Sequence, residues 1–239
     1  GGALTSKMLG GTQKLFPNGK IYSMYGLTEA FRSTFLEPKE LVNRPNSIGK
    51  AIPDVNILVL NDKNEECPPN IPGELVHRGS CITKGYWNLK IKTKEKFKII
   101  PQFKNEIVVF SGDIVKKDQQ GFIYFIGRKD EMIKTHGYRV SPYEIETVFD
   151  KYKKISSCVV FGVPDLDYGN SIILCYSTFD KDELEKNELD IFCKSRLPNH
   201  MKPKKYIFFK KMASTGNQGK IDRVSVKKIA LSIIKSPVE

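Results

Sequence analysis

No run of ~18 or more apolar residues occurs in this chain, so no transmembrane helix is expected. No secretory signal is visible either. Cysteine is sparse and odd in number. Cys67, Cys81, Cys158, Cys175 and Cys193 are scattered, and no two have C-x-x-C spacing. With only three separated histidines, His77, His136 and His200, no zinc site can be read. Such thiols are expected to be buried or inert in a reducing cytoplasm. The chain also lacks an Arg-rich arm and an aromatic-interleaved basic repeat. Its formal charge of +12 is therefore expected to reflect a lysine-rich solvated surface, with no nucleic-acid partner. A basic surface would also attract a polyphosphate. There is no internal repeat, no low-complexity segment and no initiator Met. The chain opens Gly1-Gly2-Ala3 and reads as part of a longer sequence.

The 239 residues, 40% of them hydrophobic, suffice for one large or two modest domains. Residues 52–128 read as mostly β. Val55 to Leu60 is an apolar run closed by Asn61-Asp62, and Glu74 to Arg78 alternates. Ile107 to Phe110 and Phe122 to Ile126 are strand-like around a turn at Asp118-Gln119-Gln120-Gly121. Strands at this spacing predict a barrel or a strongly bent sheet.

After residue 130 the pattern becomes mixed. Ser141-Pro142-Tyr143-Glu144 predicts a helix start, with Ser as N-cap, Pro at the first helical position and Glu three residues on. Ile145, Val148, Phe149 and Tyr152 continue it as an apolar stripe. Strands are predicted over 158–163, 172–176 and 206–209. Helices are predicted over 183–196 and at the C-terminal end, where Val226, Ile229, Ala230 and Ile233 share a face. The fold class expected is α+β: a β-rich distorted-barrel portion over 1–129, then a small unit over 130–239 with a three-stranded sheet and helices.

Four polar motifs stand outside the apolar pattern. Tyr25-Gly26-Leu27-Thr28-Glu29 offers an aromatic face, a close backbone approach, a hydroxyl and a carboxylate, groups that could serve a base, a phosphate and magnesium. It could equally be a turn entering a helix. Ser111-Gly112-Asp113 places a carboxylate at a strand end, where it can accept two hydroxyls of a ribose. The stretch 127–140 packs Arg128, Lys134 and Arg139, the Asp130 carboxylate and two glycines into fourteen residues. It reads as a charged joint between ordered regions, or as an ion-paired surface loop. Gly216-Asn217-Gln218-Gly219-Lys220-Ile221-Asp222-Arg223 carries a lysine on a glycine-rich loop and is not a Walker A loop.

Together, in this order and spacing, the four motifs resemble those of the adenylate-forming enzymes, the superfamily of acyl-CoA synthetases, nonribosomal-peptide adenylation domains and firefly luciferase. Gly73-Glu74-Leu75-Val76-His77-Arg78-Gly79, Gly85-Tyr86-Trp87-Asn88 and Leu197-Pro198-Asn199-His200-Met201-Lys202-Pro203 extend the resemblance over nearly the whole chain. Residues 26–34 and 130–135 look most like the AMP-forming acyl-CoA ligases associated with exosortase systems.

The resemblance implies an AMP-forming acid–thiol ligase that uses ATP, Mg2+ and coenzyme A. A carboxylate attacks the α-phosphate of ATP, and a thiol then displaces AMP. Tyr25 and Gly26 would lie at the adenine, Thr28 at phosphate, and Glu29 at magnesium. Asp113 and Arg128 would hold the ribose. Asp130 would be the hinge of a mobile unit over 130–239. Lys220 would act in adenylation, and Arg139 and Gly137 would line the thiol's route in the second step.

By the same resemblance, the phosphate loop and most of the acyl pocket would lie upstream of residue 1. Residues 1–239 alone are then expected not to adenylate. One departure is local: the Thr usual four residues before the lysine is replaced by Gly216, with Thr215 one earlier. Two alternatives stay open, an adenylation enzyme loading an acyl or peptidyl carrier protein and a non-catalytic remnant or binding module. A cytoplasmic location is expected.

Overall fold

The computed structural model describes residues 6–103, 105–215 and 220–235. The chain divides into two compact units between Asp130 and Glu131.

In the first unit, helix α1 (Ser6–Leu15) precedes strands β1 (Ser23–Leu27) and β2 (Ala30–Leu36), helix α2 (Pro38–Asn43), and strands β3 (Ser47–Ala51), β4 (Val55–Leu60) and β5 (Gly73–Gly79). Helix α3 (Lys90–Lys96) and strands β6 (Phe97–Ile99), β7 (Ile107–Lys117) and β8 (Ile123–Arg128) complete it. The strands form one sheet in the order β1-β2-β3-β8-β7-β5-β4, with β6 also paired to β7. Four of its strand pairs carry register shifts. Such irregularities bend and twist strands locally. Both faces of β5 are buried: Leu75 joins Val55, Ile57, Val59, Val115 and Ile123, while Val76 joins Leu58, Leu60, Val108 and Phe110.

The second unit begins with a hairpin of β9 (Ile133–Thr135) and β10 (Tyr138–Val140), then helix α4 (Pro142–Phe149), strands β11 (Ile155–Asp165) and β12 (Gly169–Thr178), helix α5 (Lys186–Lys194) and strand β13 (Lys205–Phe208). A hairpin of β14 (Ser214–Thr215) and β15 (Lys220–Ile221) leads into helix α6 (Arg223–Lys235). The sheet order is β11-β12-β13, with β12 and β13 parallel. A parallel pair needs a crossover, and α5 lies within it. Successive residues of a strand face opposite sides. Cys158, Val160, Ile172, Leu174 and Tyr176 accordingly pack on α4 and α5, and Val159, Phe161, Ile173 and Cys175 on α6. Ser141 caps α4 by accepting from the Glu144 N–H at 3.4 Å, and Ile145 and Phe149 are fully buried.

Several expectations need correction. The helix expected over 183–196 spans only Lys186–Lys194. The stretch 127–140 is mostly strand and hairpin. His136 and Gly137, at φ +51° and +79°, make the two-residue turn between strands too short for their period to show. The buried face of α6 is rotated from the one expected. Val226 and Ala230 are buried with Leu231 and Ile234 beside them, whereas Ile229 and Ile233 are about half exposed. Apolar residues occupy more than one stripe of this helix, and contact with the sheet selects among them. Finally, Tyr25-Gly26-Leu27-Thr28-Glu29 leads not into a helix but into β2, with which β1 pairs antiparallel.

Candidate active site

Strand β7 changes partners halfway along one edge. β6 pairs with Ile107–Val109 and β8 with Asp113–Lys117. Ser111-Gly112-Asp113 occupies the changeover, in mid-strand rather than at the strand end expected. Gly112 has φ +76°, a left-handed conformation that L side chains adopt only with strain. Side chains satisfy the irregular backbone. Ser111 Oγ donates to Leu75 O at 2.7 Å and accepts from Asp113 N at 2.9 Å. Glu74 accepts the Gly112 N–H at 3.1 Å, and Lys96 Nζ donates to Ser111 O at 3.1 Å.

This arrangement aims Asp113, only 7% exposed, between two partners. Arg128 Nη1 donates to its Oδ1 at 2.6 Å and to Ser111 O at 3.0 Å. The Tyr25 hydroxyl donates to its Oδ2. Burial, and then the Asp113 charge, push the Tyr25 phenol well above its ordinary range, so it remains a hydrogen-bond donor. Arg128 also pairs with Asp130 at 3.3 Å; Asp130 is exposed, and such a pair contributes little.

Glu29 and Thr28 lie in the β1–β2 turn, Glu29 half-buried and Thr28 exposed. The Tyr86 hydroxyl donates to Glu29 Oε1, and burial followed by that bond pushes the Tyr86 phenol up to about 12. Gly26 has a packing explanation: a Cβ there would sit 2.2 Å from Arg32 N across the hairpin. Among the described residues no group of three or more His, Cys, Asp or Glu side chains could hold a metal. Magnesium, however, is commonly held by one or two carboxylates with substrate phosphates, so the Glu29 carboxylate fits that role.

His77 was not assigned a role from sequence. It is fully buried, and neither ring nitrogen has a hydrogen-bond partner among the described residues. Its ring lies parallel to that of Tyr25, centroids 6.2 Å apart. Burial pushes its pKa down to about 4, opposed by the Glu29 charge. The folded protein therefore keeps His77 neutral while the unfolded chain protonates near pH 6.5. Stability is intact above about pH 6.5 and lost as pH falls toward 4, by about 3 kcal/mol in all. Urea titrations of wild type and His77→Phe should diverge in this window, the variant losing less stability. Parallel pH dependences would refute the assignment.

In the second unit, Gly137 forms the tip of the β9–β10 hairpin, and a Cβ there would meet nothing within 4 Å. Arg139 is exposed and sits opposite Lys134. Lys220 is described by its backbone in β15, directly opposite Thr215. Residues 216–219 of its motif lie outside the described residues. A cleft of about 280 Å³ beside the hairpin is lined by Thr135, His136, Tyr168, His200, Lys202 and Lys204, among others. In it His136 stacks on Tyr168, centroids 4.1 Å apart, and Lys204 Nζ lies 5.3 Å from the Tyr168 ring centre. The five cysteines are free, four of them buried and Cys81 partly so, and no helix among the described residues is long and apolar enough to cross a membrane.

The structure thus joins Tyr25, Asp113 and Arg128 directly, sets Glu29 against Tyr86, and places Gly137, Arg139 and Lys220 on two hairpins of the other unit. Tyr86, Glu74 and His77 fall within sequence blocks noticed for their pattern. Nothing local tied Tyr86 to Glu29, 57 residues away.

Residues 1–87 match the family model of the AMP-binding enzymes, and residues 144–219 match that of the AMP-binding enzyme C-terminal domain. The two cover about two thirds of the chain. The chain is 32% identical over 231 residues to Gramicidin S synthase 2 of Brevibacillus brevis, covering 95% of this chain and 5% of that protein. It is 31% identical over 207 residues to the mitochondrial medium-chain acyl-CoA ligase ACSF2 of Rattus norvegicus, covering 85% and 32%. The solved structure of o-succinylbenzoate CoA synthetase (MenE) from Bacillus subtilis, in complex with the acyl-adenylate intermediate OSB-AMP, superposes with a TM-score of 0.81 at 22% identity, covering 95% and 44%. The chain spans less than half the length of each of these proteins. The motif order, the two-unit architecture and the matches at both ends make this chain a member of the AMP-binding, adenylate-forming enzyme superfamily.

Proposed function

We propose that the chain is part of an ATP-dependent acid–thiol ligase that forms an acyl-adenylate and passes the acyl group to coenzyme A. The observation that carries this reading is Asp113. A nearly buried carboxylate, braced by Arg128 and Tyr25 at an irregular strand, retains lone pairs for the two hydroxyls of a ribose. In the first step a carboxylate oxygen bonds the α-phosphorus and pyrophosphate leaves. Tyr25 and Gly26 border the adenine, Thr28 donates to phosphate, and Lys220 bridges the substrate carboxylate and the α-phosphate where negative charge gathers. Magnesium, held by Glu29 and the phosphates, would supply charge neutralisation for the leaving group. In the second step the acceptor sulfur bonds the acyl carbon and AMP leaves. Residues 131–239 turn about Asp130 between the steps, so that Gly137 and Arg139 replace Lys220 at the reacting centre.

Loading of a carrier protein is the second reading, favoured by the similarity to Gramicidin S synthase 2. The cleft beside β9–β10 favours free coenzyme A. Its stacked His136 and Tyr168 and its lysines suit an aromatic base bearing phosphates, a larger ligand end than a carrier's phosphopantetheine arm presents. A cytoplasmic setting would keep the thiols reduced.

The protein of natural length should show carboxylate-dependent ATP–pyrophosphate exchange and release a coenzyme A thioester. Lys202→Ala should raise KM for coenzyme A about tenfold, the loss of one charge-assisted hydrogen bond, with exchange unchanged. Transfer exclusively to a phosphopantetheinylated carrier would overturn the coenzyme A assignment. Absence of exchange with every acid tried would favour a non-catalytic binding module.

A further inference from the structure

Arg223 lies three residues beyond Lys220, and its side chain, one third exposed, turns back onto the protein. Its Nη1 donates to both carboxylate oxygens of Glu146 on α4, at 2.8 and 3.0 Å. Its Nη2 donates to Val160 O at 3.2 Å, and its Nε lies 3.5 Å from Glu131 Oε2. Glu146 also accepts the Val160 N–H at 2.7 Å, and its side chain is only 14% exposed. β11 is an edge of the three-stranded sheet. The carboxylate and guanidinium therefore take the N–H and C=O of Val160 much as a neighbouring strand would. This partly buried ion pair leaves few unsatisfied groups, the condition under which such a pair is tolerated.

Residues 220–223 carry two further anchors. Ile221 packs on the core between the sheet and α6. Asp222 accepts Ser225 N at 3.1 Å and Ser225 Oγ at 2.6 Å at the start of α6, and its own N–H donates to Ala213 O at 2.8 Å. Thus Lys220 stands on a short hairpin whose exit is bolted to α4, to the β11 edge and to Glu131, the residue immediately after the boundary between the two units.

We propose that Arg223, held by Glu146, is a positioning residue that makes the Lys220 hairpin move as one piece with the chain leaving Asp130. The catalytic consequence rests on the ligase reading; the mechanical one does not. If Lys220 is delivered by rotation about Asp130, a loose hairpin would lose the geometry gained, and misplacement by ~1 Å can cost about 10²-fold in rate.

The mechanical part is tested by hydrogen exchange on the protein of natural length. Glu146→Gln keeps shape and removes the charge. Protection of the amides of residues 213–215 and 220–222 should fall at least about tenfold, while the β12–β13 amides hold within about twofold. Glu131→Gln, at a side chain 43% exposed, should give a smaller change of the same pattern and guards against misfolding of the first variant. Unchanged hairpin protection, or equal loss across β11–β13, overturns the clamp.

The catalytic part is tested in the protein of natural length. Glu146→Gln and Arg223→Lys should lower pyrophosphate exchange about 10²-fold and change thioester formation from supplied acyl-adenylate less than about threefold. Equal loss in both steps marks a structural role and overturns the positioning role. A normal exchange rate in either variant also overturns it, provided Lys220→Ala is inactive. An active Lys220→Ala would instead remove Lys220, and with it Arg223, from adenylation; no exchange in the wild type would sink the ligase reading, with hydrogen exchange still deciding the clamp.

Discussion

Lys220→Ala, in the protein of natural length, is expected to cut acyl-adenylate formation by about 10²–10³-fold or more and to leave thioester formation from supplied acyl-adenylate within a few-fold of wild type. In the reaction proposed, the first step brings a carboxylate onto a polyphosphate, so two anions must meet and negative charge grows between them. A lysine ammonium is a compact point charge on a flexible stem. It can touch both partners at once and is worth most where water is excluded. The second step brings a thiol to a carbonyl already activated by AMP and has no such requirement. Thr215, directly across β14–β15 from Lys220, occupies the strand position closest to the lysine despite Gly216 standing where the family usually has threonine. Lys220→Arg should recover little, because a planar fork does not substitute for a point charge. The two steps are read separately by pyrophosphate exchange and by thioester release from synthetic acyl-adenylate. Equal loss in both would refute the assignment of Lys220 to adenylation.

Asp113→Ala is expected to weaken ATP binding by about 10²-fold. Two hydrogen bonds from ribose hydroxyls to a carboxylate are worth about 1.5 kcal/mol each at the low end, and their sum corresponds to that factor. The variant also strands the Tyr25 hydroxyl in a partly buried position, an added cost of about 1–3 kcal/mol to folding. Arg128 is more exposed and can turn to water. Asp113→Asn keeps the shape and should fall between the two, because an amide oxygen still accepts but cannot offset the Arg128 charge. Calorimetric titration with ATP, alongside a thermal melt, separates binding from folding. A folded Asp113→Ala protein with wild-type ATP affinity would remove Asp113 from the ribose site.

Local order explains which elements were readable. The capped start of α4 is written in four consecutive residues, and the Asp118–Gly121 turn in another four. Strands β11 and β12 read as apolar runs because both of their faces are covered. The α6 stripe was misjudged because Ile229 and Ile233 are as apolar as Ala230 and Ile234, and only the sheet beneath distinguishes them. Ser111-Gly112-Asp113 reads as a strand end because the apolar run Ile107 to Phe110 stops before it. The strand continues because Ser111, Glu74, Lys96 and Arg128 together satisfy its backbone.

The residue types and their order along the chain determined, without any coordinates, the α+β class, the change of character near residue 130 and the membership of the superfamily. These depend on periodicity, capping and the succession of polar motifs, all properties of short windows. The partners of those motifs were decided only in three dimensions. Tyr25 meets Asp113 across 88 residues and Arg223 meets Glu146 across 77. His77 loses its charge to burial rather than to any neighbour in sequence. Gly26 is required by the backbone of Arg32 across a hairpin. Hydrogen bonds, desolvation and steric exclusion act over a few ångströms, and the fold alone brings distant residues within that range.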